Sequence, residues 1–174
     1  MINKNTSNSN GFSFVELMVV IALIGLLSAI GLPSLLRSLP EKRLKNAARN
    51  LYADIQKVRL LAVKENVNIT MIFNEATGQY SYMNGGTTIT ESLSDYGAVQ
   101  YGCDVTSKNS WRESPDDSFP PSGITGNIEF SNLGNANAGD IYLQSENDQT
   151  VCYAVEISMF GTAKIWRYNG STWE

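Results

Sequence analysis

The sequence contains no histidine and only two cysteines, and these shortages exclude whole classes of chemistry. Without histidine, the chain cannot build a Ser–His–Asp or Cys–His catalytic unit or any histidine-ligated metal site. Cys103 and Cys152 lie far apart in the sequence. In a cytosolic protein they would be free core thiols, whereas outside the cytosol a single disulfide is the expected state. The compartment therefore decides their chemistry.

Charge is also scarce, and it is unevenly placed. The 174 residues carry a formal net charge of -4, which gives no overall attraction for nucleic acid. Residues 37–65 contain eight Lys or Arg and three Asp or Glu, whereas residues 104–174 contain four Lys or Arg and ten Asp or Glu. The length suits one globular domain with a long appendage, and the counts predict a basic helix that leads into an acidic domain.

The N-terminal region lacks the layout of an ordinary secretory signal. Residues 1–11 are short and polar, and residues 12–36 are apolar with a single charge. About 20 apolar residues span a bilayer as a helix, so residues 12–36 are predicted to form a membrane segment. A normal signal has an apolar region of about 7–15 residues and is cut after it. Here the small residue, Gly11, precedes the apolar run, so a cut there would leave the whole segment on the mature protein.

The single charge in the membrane segment belongs to Glu16. A carboxylate inside an apolar helix costs roughly 2.5–3.5 kcal/mol on insertion scales, so a sequence that keeps one needs compensation. Two interpretations are open. Either Glu16 lies close enough to the membrane interface to stay hydrated, or it meets a positive partner inside an assembly.

These residues resemble the class III leader of type IV pilins and of type II secretion pseudopilins. The match comprises Gly11 before the cut, Phe12 after it, Glu16 four residues later and Pro33 near the end of the apolar run. The resemblance implies that a prepilin peptidase/N-methyltransferase cuts between Gly11 and Phe12 and methylates the new amine. It also implies a single-pass protein of the bacterial inner membrane, with its head in the periplasm, that assembles with other pilin or pseudopilin subunits. In that compartment Cys103 and Cys152 are expected to form a disulfide.

The positive charges beside the membrane segment point to the opposite orientation. The leader carries only Lys4 and the α-amine, whereas the other flank carries Arg37, Lys42, Arg43 and Lys45. Positive flanks usually stay in the cytoplasm, so charge alone would place the C-terminal part inside the cell. The leader pattern is the more specific signal, and the predicted orientation follows it.

Apolar residues continue at helical spacing beyond the membrane segment. They predict one buried stripe of an amphipathic helix over residues 37–65. The stripe consists of Leu44, Ala47, Ala48, Leu51, Ile55, Val58 and Ala62. Because proline removes a helical hydrogen bond, a kink or a melted turn is predicted near Leu32–Pro33 and near Pro40. Three interpretations of the basic face are open: a solvated face, contact with anionic headgroups or acidic neighbouring subunits, or contact with DNA.

After Asn66 the composition changes to short alternating runs separated by turn residues, which predict strands. The predicted strands are 68–73, 79–83, 98–102, 127–130, 140–144, 151–158 and 163–168, with turns at 77–78, 85–86 and 160–162 and a loop at 108–125. The fold class is therefore α+β, with the long N-terminal helix packed on an antiparallel sheet. The predicted boundaries are a cleaved leader at 1–11, a membrane segment at 12–36, an amphipathic helix at 37–65 and a β-rich head at 66–174.

The second half of the chain resembles the GspH/FimT group of minor subunits. The likeness lies in residues 50–63 and 68–73 and in two strand-and-glycine turns at 128–134 and 157–161. It implies a β-sandwich head and a minor subunit that enters, primes or caps a filament. Both a type IV pilus and a type II secretion pseudopilus fit. The alternative is a pilus-borne binding module for DNA or a surface, which would need a basic or aromatic patch on the head.

Few residues offer other chemistry. Oxygen ligands for calcium could come from Asp116–Asp117, Asp140 and Asn147–Asp148, but no segment has the rhythm of an EF-hand loop, and solvated carboxylates are the alternative. A stacking surface could come from Trp111, Trp166 and Trp173, for which packing is the alternative. No spacing marks a nucleophile. We therefore expect a structural protein without enzyme activity, cofactor or metal, and without nucleic acid as a partner.

Overall fold

The computed structural model describes residues 12–103, 124, 126–169 and 173–174. The chain divides into two compact units, Met1–Ser38 and Leu39–Glu174. Several predictions lie outside the described residues: the leader at 1–11 with its cleavage residue Gly11, nearly all of the loop at 108–125, and the side chains of Trp111 and Asp116–Asp117 within that loop.

Helix α1 comprises Phe14–Glu65 and contains both prolines. Of the kink or melted turn predicted near Leu32–Pro33 and near Pro40, the melted turn is wrong, because helical geometry continues through both positions. Each proline removes only its own N–H donor, and the bonds of neighbouring residues keep the turn closed. The helix ends at Glu65; the next residue, Asn66, has a left-handed φ of 55°, and Val67 donates its N–H to the Ala62 carbonyl at 3.1 Å.

The buried stripe predicted on α1 is confirmed in the second unit. All seven of its residues are at most 1% exposed, from Leu44 to Ala62. They pack against apolar residues of both sheets in one core, among them Met71, Phe130 and Val155. Tertiary packing of this stripe is what holds the C-terminal half of α1 to the strands.

In the described residues of the second unit, eight strands form two four-stranded antiparallel sheets. The strands are β1 Ile69–Asn74, β2 Gln79–Asn84, β3 Thr87–Ser92, β4 Val99–Tyr101, β5 Ile128–Phe130, β6 Gly139–Ser145, β7 Asp148–Ile157 and β8 Ala163–Tyr168. The first sheet has the order β3-β2-β1-β5, and the second has the order β4-β6-β7-β8. The α+β class and the antiparallel sheets are therefore confirmed.

One strand, β3, was missed by the sequence prediction. Of its residues only Ile89 is strongly apolar, so the run shows no clear alternation. It pairs with β2 alone and lies at the edge of its sheet. The turn predicted at Gly85–Gly86 is the hairpin that joins the two strands, with φ values of 55° and 83°. Positive φ at both central residues is what a two-residue type I′ turn requires, and glycine adopts it without strain.

Strand β7 is buried on both faces of the second sheet. Tyr153 and Val155 face the core beneath α1, whereas Cys152 and Ala154 belong to a second apolar cluster on the opposite face. The predicted disulfide joins Cys103 to Cys152 in that second cluster, with 5.8 Å between their Cα atoms. The bridge therefore links the segment after β4 to the centre of the sheet.

Candidate assembly surfaces

The first unit exposes an apolar helix. Within α1, residues Phe14–Leu32 have a mean hydropathy of 2.5, and none of that segment is buried. By length and composition this stretch is sufficient to cross a membrane. Large side chains such as Leu17, Ile21 and Leu27 are more than half exposed. Such a surface needs lipid or other apolar helices around it.

Glu16 lies in the first turn of α1 and is exposed. A carboxylate at this end of a helix is favoured by the partial positive charge of the free N–H groups. Phe12 lies two residues before the first residue of α1 and is 83% exposed. Glu16 follows it by four residues, while Pro33 lies more than four turns further along the helix.

Two residues of the basic face on α1 are tied to the strands of the second unit. Arg59 donates to the Gly134 carbonyl at 2.9 Å and to the Phe160 carbonyl at 3.1 Å. Lys57 donates to the Tyr82 hydroxyl at 3.0 Å, and this bond raises the pKa of Lys57. These two cations help to fix the helix rather than to bind a ligand.

Lys45 and Arg49 differ from the tied cations. Both are exposed, and in the described part of the chain neither has an ion pair or hydrogen bond. They are four residues apart and so lie on one side of α1.

Arg167 on β8 is held by two carboxylates. Its Nη2 atom is 2.7 Å from Glu41 Oε1, and its Nη1 atom is 2.6 Å from Glu174 Oε1. These hydrogen bonds raise the pKa of Arg167. The positive charge of Arg167 is therefore compensated, in contrast to those of Lys45 and Arg49.

The two strand-and-glycine turns noted in the sequence meet at the C-terminal end of α1. Arg59 bridges their carbonyls, and Gly161 has a φ of 70°. A Cβ at Gly161 would collide with the Gly134 carbonyl oxygen, so only glycine fits this approach. The turns expose Leu133, Met159 and Phe160, which are 79%, 67% and 72% exposed. The resemblance identified the turns, but no local pattern indicated that Arg59 joins them.

A polar network between α1 and β2 was also missed. The Tyr80 hydroxyl donates to Asp54 Oδ2 at 2.6 Å, and burial together with this bond raises the pKa of Tyr80. The two residues are 26 positions apart, so only the packed structure brings them together.

Of the predicted calcium ligands that the structure describes, Asp140 is only 5% exposed, inside β6. In the described part of the chain, no three acidic or cysteine side chains form a group that could hold a metal ion. Trp166 and Trp173 pack against the second apolar cluster, and Trp166 also donates to Glu156 Oε2 at 3.0 Å. For these two tryptophans the packing interpretation is confirmed.

The chain matches two families. Residues 6–32 match the prokaryotic N-terminal methylation motif, and residues 47–161 match the type II transport protein GspH. No curated protein matches the chain.

Solved structures are similar to the chain in fold. One is the type IV minor pilin FimU of Pseudomonas aeruginosa, with 12% identity, a TM-score of 0.50, and coverage of 72% of this chain and 89% of that one. Another is the minor pseudopilin EpsH from the type 2 secretion system of Vibrio cholerae, with 10% identity, a TM-score of 0.50, and coverage of 71% of this chain and 95% of that one. These similarities support the arrangement of an N-terminal helix followed by antiparallel sheets.

Proposed function

The chain belongs to the family of the type II transport protein GspH, and from this premise we propose how its parts serve a filament. It is a minor pilin or pseudopilin of a type IV pilus or a type II secretion system. The alternative, a pilus-borne binding module for DNA or a surface, is not favoured. The family is structural, and the role we propose for this chain is assembly rather than catalysis.

Processing comes first in this proposal. A prepilin peptidase removes residues 1–11 by cutting between Gly11 and Phe12, and the amine of Phe12 is methylated. The support is the match to the N-terminal methylation motif over residues 6–32, which contains the junction between the polar and apolar segments. Residues 12–36 then hold the protein in the bacterial inner membrane, and residues 37–65 with the head at 66–174 stand in the periplasm.

The observation that carries the proposal is Glu16, the one carboxylate in an exposed apolar helix. In the membrane we propose that it pairs with the methylated amine of Phe12 on a neighbouring subunit. An unpaired charge in an apolar surrounding is costly, and lateral pairing would neutralise two of them at once. The pair would also set the axial position of the incoming subunit. Pro33 marks a point where the helix lacks one hydrogen bond and can adapt to its neighbours.

Two substitutions test this role. Glu16→Ala and Glu16→Gln should both be cleaved normally, because the cut lies outside the proposed pair, and both should enter filaments poorly. The measurement is the share of the subunit in the sheared filament fraction and in the membrane fraction. Glu65→Ala, which removes an exposed carboxylate from the other end of α1, is the matched control and should assemble normally. Assembly of Glu16→Ala at the wild-type level would make Glu16 a hydrated residue at the interface and would refute the pairing.

A further inference from the structure

The edge of β8 is open along part of its length. Among the described residues, β8 pairs with β7 on one side, and on the other side it meets only Trp173–Glu174, opposite Arg167 and Tyr168. Arg167 directs its main-chain groups away from β7, because its N–H donates to the Glu174 carbonyl at 2.8 Å and its carbonyl accepts from the Glu174 N–H at 2.9 Å. Directions alternate along a strand, so the N–H and carbonyl groups of Ala163 and Ile165 also point outward. In the residues that the structure describes, these four groups have no partner.

A groove runs beside this open edge, between β8 and α1 within the second unit. One part has a volume of about 340 Å³ and is lined by Lys45, Arg49, Tyr153, Ile165, Arg167 and Glu174. An adjoining part of about 380 Å³ shares Ile165 and Glu174 and extends past Tyr52 and Trp166. Together the two parts follow β8 from Ala163 to Arg167.

The helix wall of the groove is positive. Glu41 and Glu174 already compensate Arg167. Lys45 and Arg49 stand one helical turn apart on the opposite wall, exposed and without an acidic partner among the described residues. An occupant that brings carboxylates to these two cations would complement the groove in charge.

We propose that this groove binds an extended acidic segment of a neighbouring pilin-type subunit. The segment adds a strand to the edge of β8 at Ala163–Ile165, and its carboxylates pair with Lys45 and Arg49. Strand addition satisfies the outward main-chain groups, which fixes the backbone of the partner. Alternate side chains of the added strand face α1, so acidic residues at every second position fit the two cations. The identity of the partner as a subunit rests on the proposed function.

A peptide probe of defined sequence measures binding to the groove independently of filament assembly. The full chain is placed in nanodiscs of neutral lipid, and a short acetylated, fluorescently labelled peptide in which aspartate alternates with valine is titrated by anisotropy. The matched probe has asparagine in place of aspartate. Two protein variants test the two halves of the site: Ile165→Pro for the strand edge, and Lys45→Glu with Arg49→Glu for the charge.

The Ile165→Pro variant removes a single outward N–H donor. That N–H points away from β7, so the bonds between β7 and β8 remain. Ile165→Ala keeps the donor while it shortens the same side chain, and it is the matched control. Lys45 and Arg49 are exposed, so their substitution leaves the core intact and keeps the test valid even if the proline variant folds poorly.

The acidic peptide should bind the wild-type chain. The asparagine probe and the charge-reversed variant should each bind about tenfold more weakly, as expected for two partly exposed ion pairs. Ile165→Pro should lose binding, and Ile165→Ala should keep most of it. Equal binding of the aspartate and asparagine peptides, or no binding of either, would overturn the proposal. A third outcome is that charge reversal abolishes binding while Ile165→Pro leaves it intact. That result would identify a simple anion site and overturn strand addition. None of these results depends on Glu16 or on filament entry, so failure here leaves the proposed function standing.

Discussion

Two leucines on the same helix provide the sharpest test of how the second unit is held together. Leu51 and Leu60 both lie in the C-terminal half of α1, nine residues apart. Leu51 is 0% exposed in the core, whereas Leu60 is 67% exposed. Replacing each by alanine removes the same atoms and changes helix propensity equally, so the difference between the two variants reports burial alone.

The expected magnitudes follow from that difference. Leu51→Ala removes a buried side chain and leaves a cavity, which lowers the free energy of unfolding by about 2–5 kcal/mol. Leu60→Ala removes a side chain that is mostly in water and should stay within about 0.5 kcal/mol of wild type. In a domain of this size, the larger loss lowers the melting temperature by about 8–20 °C.

The assay is thermal unfolding of residues 39–174, followed by circular dichroism. We expect this fragment to fold without the membrane segment, because it keeps the whole stripe from Leu44 to Ala62. A melting temperature that falls by several degrees for Leu51→Ala and hardly moves for Leu60→Ala supports the packing described above. Equal shifts for both variants would show that the stripe does not face the strands.

Three further predictions follow from the second unit. Thiol labelling of the denatured, unreduced protein should find no free thiol. Replacing Cys103 and Cys152 by alanine should lower the free energy of unfolding by about 4 kcal/mol, since the bridge closes a loop with a sequence separation of 49. Arg59→Ala should lower stability and speed proteolysis at the two turns that it bridges, whereas unchanged cleavage there would contradict this role. The pKa of Tyr80 is raised above its unfolded value of about 10 by burial and by its bond to Asp54. The unfolding free energy should therefore be steady below about pH 10 and fall as the pH rises further, and Tyr80→Phe should make that alkaline loss smaller in denaturant titrations at several pH values.

Periodicity allowed most of the fold to be predicted. The stripe on α1 reflects a single buried face, whereas the apolar run of β7 reflects a strand that is buried on both faces, and both patterns are visible in local sequence. Strand β3 was missed because it is an edge strand with one half-buried apolar residue, Ile89, so pairing with β2 and not burial defines it. The long helix was predicted, but a melted turn at Pro33 and at Pro40 was wrong because one absent donor does not break a helix that its neighbours continue.

The contacts that define the assembly surfaces could be predicted less well. The pattern around Gly11 and Glu16 is local, so the leader could be recognised from residues alone. Arg59 reaches Gly134 across 75 positions, and such a pair depends on how the strands return to the helix. The groove beside β8 likewise requires the strand order of the second sheet. Long-range pairing is set by the topology, which local propensity does not encode.

The mass of the subunit isolated from sheared filaments tests the central claim most directly. The proposal predicts a chain that begins at Phe12 and carries one added methyl group on its N-terminal amine. Gly11→Val should block this processing, because a peptidase subsite shaped for glycine would clash with a branched side chain. A filament-borne chain that still begins at Met1 would contradict the account.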